Sequence, residues 1–362
     1  MSTFKLNKLI NKIGLLYKRR TVSVAKKHTR DNYLNHILGY NESRPYGYKE
    51  LVCLAPSTAL YFNLYGDVLA CCKNTTSKLG NVKHKSIIDI WNGEERKQLI
   101  ENIKSYSLEN NGCIGCKNSI ITGQYNSVLA RMYDIPFMNI PKNIFPLDIT
   151  FEISNTCNLE CKMCNAEYSS SIRINRDNVP KLNNPYPDDF LEQLIPFLQH
   201  VKIVRFQGGE PFLINIYLDI IDKICEINPV CKIYIQTNGT VYNERVKKII
   251  SLKNLHLSIS VDSLEKDNYE WTRKNGSYLK LMENINKFKD ISNKHNNTIN
   301  INMCLMRHNW NEIPHFLEFC STNNFTLNVI PIEYPEVLSI GNLSAKIIDE
   351  ILSFYKEFYL KT

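Results

Sequence analysis

The chain has 362 residues, 43% hydrophobic and 22% charged. That is globular composition, sufficient for two domains or one large domain with an appendage, and it excludes a fibre or a mostly disordered chain. The formal charge is +8. Residues 1–31 hold nine basic side chains and one acid, Asp31, so the remainder is electroneutral and a nucleic-acid surface across the body is not expected. No stretch approaches the roughly 20 uninterrupted apolar residues of a membrane span.

Residues 1–50 read as a basic N-terminal extension. Within it Phe4, Leu6, Leu9, Ile10, Ile13, Leu16 and Tyr17 recur at helical spacing, as in a surface helix or a helix that docks on a substrate, RNA or an anionic membrane. Lys8 and Lys12 break the apolar core that a signal peptide needs, so a cytoplasmic, reducing location is expected. In that setting the 12 cysteines suggest metal ligands or redox groups before disulfides.

Residues 51–125 form a small irregular module. Short strand-like runs at Tyr61–Asn63 and Val68–Ala70 flank a turn at Gly66-Asp67, and Ile87–Ile103 reads as a helix interrupted near Asn92-Gly93. Residues 126–146, with Pro136, Pro141 and Pro146, read as a linker. From residue 147 to 362 the pattern alternates. Strands are expected at 147–154, 201–207, 232–237, 255–262, 298–306 and 325–332. Helices are expected near 187–199, 213–227, 242–252, 277–294, 312–322 and 345–360. Such alternation predicts an α/β fold, a partial (β/α)6 TIM-like barrel, with chemistry at the strand C-termini.

The first of these strands runs into Cys157-x3-Cys161-x2-Cys164. Three thiolates on one loop can hold three irons of a cubane and leave the fourth open to a ligand, or form a structural zinc site completed by a remote Cys or His. The second strand ends in Gly208-Gly209-Glu210-Pro211, where glycines permit close backbone approach and a carboxylate can bind an amine; alone it is also an ordinary turn. The third and fourth end in Gln236-Thr237-Asn238-Gly239 and Ser258-Ile259-Ser260-Val261-Asp262, which equally suit strand-end turn bonding.

These motifs, in this order, resemble the radical SAM superfamily over residues 147–335. Met163 stands where the family has an aromatic residue before the last cysteine. The resemblance implies a [4Fe–4S] cluster on Cys157, Cys161 and Cys164 whose open iron binds S-adenosylmethionine (SAM). It places Met163, Gly208, Gly209, Glu210, Pro211 and Asn238 around SAM, Ser260 and Asp262 at the ribose hydroxyls, and Arg273 at the SAM carboxylate, a role suited to a guanidinium fork. Cys53-x17-Cys71-Cys72, Leu79-Gly80-Asn81, Trp91-Asn92 and Cys113-x2-Cys116 resemble a SPASM/Twitch auxiliary-cluster domain, here preceding the core instead of following it. One auxiliary [4Fe–4S] cluster on Cys53, Cys71, Cys113 and Cys116 is implied, with Cys72 the alternative to Cys71.

Cys225, Cys231, Cys304 and Cys320 read as packing residues, with Cys304 close to the rim. The expected function is abstraction of a hydrogen atom from a peptide or protein substrate, by a maturase, epimerase or oxidase. A sugar or other small metabolite is an alternative substrate, and a non-catalytic iron–sulfur or zinc scaffold an alternative class. The expected partners are the substrate and a low-potential electron donor such as flavodoxin or ferredoxin.

Overall fold

The computed structural model describes residues 30–44, 51–109, 111–134 and 145–361. The amphipathic stretch 4–19 lies outside these residues. Helix α1 (Arg30–Ser43) precedes the cysteine module, which contains α2 (Ala55–Thr58), β1 (Ala59–Phe62), β2 (Asp67–Leu69), β3 (Gly80–Asn81), α3 (Ile87–Asn92), α4 (Glu94–Lys104) and α5 (Ile114–Ile121). The interruption expected near Asn92-Gly93 is thus a break between two helices that meet at Gly93. Ser86 caps the first through the N–H of Asp89. The Arg96 guanidinium lies 3.4 Å from the centre of the buried Trp91 ring and donates to the carbonyls of Pro56 and Trp91, which ties α3 and α4 to α2.

The larger part contains β4 (Asp148–Phe151), β5 (Glu160–Cys161), α6 (Phe190–Leu198), β6 (Ile203–Phe206), α7 (Asn215–Ile227), β7 (Lys232–Thr237), α8 (Glu244–Ile250), β8 (Leu255–Ser260), α9 (Lys266–Thr272), β9 (Arg273–Lys274), α10 (Tyr278–His295), β10 (Thr298–Leu305), α11 (Ile313–Asn323), β11 (Thr326–Pro331) and α12 (Ala345–Lys361). Strands β4, β6, β7, β8, β10 and β11 pair in parallel, the six-unit α/β arrangement. Side chains alternate across them. Leu255, Leu257 and Ile259 of β8 and Ile299, Ile301, Met303 and Leu305 of β10 are buried in the hydrophobic core, so the intervening residues face the concave side. Cys231 and Cys320 are buried, and Cys225 packs against the same core. Among the described residues, no helix is long and apolar enough to cross a membrane.

The cysteine module adds its strands to this sheet. The order is β11-β10-β8-β7-β6-β4-β1-β2-β3. β1 pairs in parallel with β4, from Ala59↔Asp148 to Phe62↔Phe151, while β2 and β3 follow antiparallel. Phe62, Phe151 and Phe206 stack across β1, β4 and β6 at 5.4 and 5.5 Å, and Phe190 of α6 meets Phe62 edge-on at 5.5 Å. Such pairs add about 1 kcal/mol each beyond their buried area. The sheet thus runs across the boundary between the module and the barrel.

Candidate active site

The three-cysteine loop is fixed by backbone geometry on two sides. Gly209 N–H donates to the Ser154 carbonyl at 3.1 Å, and Glu210 N–H to the Thr156 carbonyl at 2.7 Å. A Cβ on Gly209 would sit 2.2 Å from the Thr156 oxygen, and Gly208 has φ +90°. Sequence reasoning reserved these glycines for a ligand; the close approach found here is to the chain itself, at the entry to the cysteine loop. On the other side β5 pairs antiparallel with β9, so that Cys161 faces Arg273 and Glu160 faces Lys274.

Glu160, inside the cysteine motif, is a residue that sequence reasoning missed. Its carboxylate accepts from Lys274 Nζ (2.7 Å), Asn275 Nδ2 (3.0 Å), Asn175 Nδ2 (3.1 Å) and Ser171 Oγ (3.2 Å). These donors hold its pKa down to about 2. Asn158, also in the loop, accepts from Asn238 Nδ2 at 3.0 Å and donates to Thr240 Oγ1 at 2.9 Å. Asn238 Nδ2 lies 4.0 Å from Cys157 Sγ. Asn238 therefore joins the end of β7 to the cysteine loop.

Burial raises the pKa of all three thiols, and the Arg273 charge opposes this at each of them. Cys161 is pushed up to about 12. Arg273 is buried; its Nη1 is 3.9 Å from Cys161 Sγ and its Nη2 is 2.8 Å from Asp262 Oδ2 in an ion pair. Its Nε has no hydrogen-bond partner. Asp262 is fully buried and also accepts from the Cys304 N–H at 2.9 Å. The chain thus supplies partners for the two side chains expected at the SAM ribose and carboxylate. Glu210, expected at the SAM amine, is fully buried and accepts from Asn238 N and Thr237 Oγ1, each at 2.7 Å, and from Phe212 N at 3.1 Å. Pro211 is buried behind it, Met163 is half-buried between Cys161 and Cys164, and the Ser260 hydroxyl lies on the concave face.

The second set of thiols forms in the cysteine module. Cys53, Cys71, Cys113 and Cys116 all pack against the core, and their charges act on one another. Cys72 is not among the cysteines packed against the core, though the charges of Cys71 and Cys116 act on it. Amide donors converge on the set: Ala55 N on Cys53, Lys73 and Asn74 N on Cys71, Leu129 and Ala130 N on Cys116, and Asn74 Nδ2 on Cys113 at 3.6 Å. Burial raises each thiol and these donors partly offset it.

Both sets suit iron–sulfur clusters chemically: buried thiols, N–H donors that stabilise thiolates, and at the first site one cation with an unpartnered N–H. Among the described residues, no group of three or more His, Cys, Asp or Glu side chains is arranged around a single metal ion. A cubane does not need that convergence, because each of its irons takes one cysteine.

The concave face adjoins the first site. Its lowest row is Tyr61, Thr150, Arg205, Tyr234, His256 and Thr298. Arg205 pairs with Asp148, Tyr234 stacks on His256 at 4.3 Å, and His256 Nδ1 meets Thr298 Oγ1 at 2.7 Å, which closes the floor. Above it come Gln236, Ser258, Asn300 and Thr326, then Ser260, Asn302 and Asn328. From β7 to β11 these two rows are uncharged, and all but Asn302 are exposed or half-buried.

Comparison with known proteins places these features. The radical SAM superfamily profile matches residues 151–320, and the iron–sulfur cluster-binding SPASM profile matches residues 53–117. GTP 3′,8-cyclase of Clostridium botulinum (strain Hall) is 25% identical over 211 residues, covering 58% of this chain and 60% of that protein. The chain thus spans about 60% of the length of such curated relatives. Among solved structures, AdoMet-bound anSMEcpe has a TM-score of 0.39 at 21% identity, over 51% of this chain and 50% of that one. Streptococcus suis SuiB bound to precursor peptide SuiA has a TM-score of 0.43 at 17% identity, over 67% and 59%.

Proposed function

We propose that this chain, which belongs to the radical SAM superfamily and carries its SPASM domain ahead of the core, removes a hydrogen atom from a peptide or protein substrate laid across the concave face. When bound, the [4Fe–4S] cluster and SAM supply the 5′-deoxyadenosyl radical that abstracts hydrogen, and an auxiliary [4Fe–4S] cluster belongs to the SPASM domain. Cys157, Cys161 and Cys164 would hold the first cluster, and Cys53, Cys71, Cys113 and Cys116 the second. In this reading Glu210 braces the Asn238 turn, Gly208 and Gly209 lock the cysteine loop, and Arg273 keeps a positive charge beside the thiolates. Ser260 and the backbone around residues 208–211 and Met163 face SAM. A low-potential flavodoxin or ferredoxin would deliver the electron.

The observation that carries the substrate class is the pair of uncharged rows above the floor. Amides and hydroxyls can pair with backbone N–H and C=O groups in either direction. A triphosphate calls for arginines or lysines, and neither row has one. Three strand spacings separate β7 from β11, about 14 Å along the sheet, or about four residues of extended peptide.

The test is anaerobic reconstitution with SAM and dithionite, followed by incubation with short peptides encoded beside the gene and mass analysis of products. The expected result is 5′-deoxyadenosine together with a peptide changed in mass, crosslinking or stereochemistry. Turnover of a sugar with all peptides untouched would overturn the substrate class, and SAM left intact would overturn catalysis.

A further inference from the structure

Glu152 is a carboxylate that neither cysteine site uses. It directly follows β4, and its N–H donates to the Phe62 carbonyl of β1 at 2.9 Å. It therefore lies where the SPASM strand meets the radical SAM strand. Its neighbours Phe151 and Ile153 are buried in the core, so alternation turns Glu152 toward the concave face, on the side of Thr150 and Tyr61. A Cβ on Gly208 would sit 3.1 Å from its Cγ, which places it against the turn that locks the cysteine loop. The Tyr61 hydroxyl donates to Oε2.

The groups around it are unusual for a structural carboxylate. No lysine or arginine pairs with it among the described ion pairs, and the charged or titratable groups that face it are Tyr61, Glu167, Tyr168 and Tyr217. Glu167 comes from the segment after the cysteine loop and is itself held by the Tyr65 hydroxyl. Burial, reinforced by the Glu167 charge, raises the Glu152 pKa to about 7. A carboxyl that only supported the fold would more economically sit beside a cation, as Asp148 does with Arg205.

We propose that Glu152 is a catalytic proton acceptor of the concave chamber, oriented by Tyr61, that takes a proton from the peptide beside its reacting carbon. This rests on the peptide reading above. In the step a substrate C–H, N–H or O–H bond breaks, its electron pair stays on the substrate, and the proton ends on Oε1 or Oε2 of Glu152. Such a group has the correct charge above its pKa and the strongest tendency to take the proton near it.

Three variants of the reconstituted full chain test this: E152Q, Y61F and E167Q. Infrared difference spectra across pH 5–9 read the protonated carboxyl without any turnover. The wild type should lose one buried carboxylic C=O band near pH 7, and E152Q should lack that band. Y61F removes a donor to the charged form and should move the transition upward; E167Q removes a like charge and should move it downward. Product formed per 5′-deoxyadenosine should rise with pH through the same transition in the wild type and fall about 100-fold in E152Q. A band that titrates near pH 7 in E152Q, or product yield and pH profile unchanged in E152Q, would overturn the proposal. A wild type that makes 5′-deoxyadenosine, shows the Glu152 band and modifies no peptide would instead overturn the substrate reading.

Discussion

Arg273 stands directly opposite Cys161 in the two-residue ribbon of β5 and β9, its Nη1 3.9 Å from the thiol sulfur, with Asp262 on its other side. One cation therefore serves both the cysteine loop and a fully buried carboxylate. R273M should strand Asp262 without a counter-charge and destabilise the apo protein by about 3–5 kcal/mol in urea unfolding. The double variant R273M/D262N should recover most of that loss. Equal stability of single and double variants would show that the pair is not coupled.

Iron content separates the two cysteine sets. The reconstituted wild type should hold about eight irons, and the triple variant C157A/C161A/C164A about four, with no 5′-deoxyadenosine formed. C53A/C113A should also lose about four. C71A should behave like C53A/C113A while C72A keeps its iron, because Cys71, like the other three and unlike Cys72, packs against the core. The reverse outcome would reassign the fourth ligand.

Glu160 predicts an acid limb. Its folded-state pKa, about 2, lies below the ordinary glutamate value of 4.5. Its contribution is therefore complete above pH 5 and is lost as pH falls from 4.5 toward 2. E160Q should lower apo stability at pH 7 by about 2 kcal/mol, the scale of hydrogen bonds to a charged group. It should also flatten the stability profile below pH 4.5. Superimposable acid limbs would show that the four donors do not depend on the charge.

Two glycines should respond oppositely to alanine. G209A drives a Cβ into the Thr156 carbonyl at 2.2 Å and should cost about 3 kcal/mol, with loss of iron from the first site. Gly115, in α5, has nothing within 4 Å of its added Cβ. G115A should be neutral or stabilising by up to about 1 kcal/mol. Denaturant midpoints and iron assays on both variants decide this.

Much of the barrel was legible in the sequence because its strands and helices are long enough to carry a period. All six parallel strands and the six helices α6, α7, α8, α10, α11 and α12 fall where periodicity places them, whereas the seven-residue α9 between β8 and β10 lies outside every expected helix. The two-residue β5 and β9 have no periodic signature, so the pairing of Cys161 with Arg273 could not be read in advance. The same holds for Glu160, whose partners Asn175 and Lys274–Asn275 come from distant segments. Glu152 was hidden for another reason: a single acid inside the strand expected over 147–154 gives no sign of its partners, and only the fold sets Tyr61 and Glu167 beside it. The motif glycines were found, but their closest contact in the fold is the chain at residues 154–156.

The pairing of β1 with β4 has a consequence for dissecting the molecule. A fragment beginning at residue 147 would leave one side of β4 with bare N–H and C=O groups and strip Phe62 from the ring of Phe151. Such a margin is a template for strand addition from another chain, so the shortened protein should self-associate. The cysteine module is thus also the barrel's own edge guard: removing it would turn an interior strand into a sticky border.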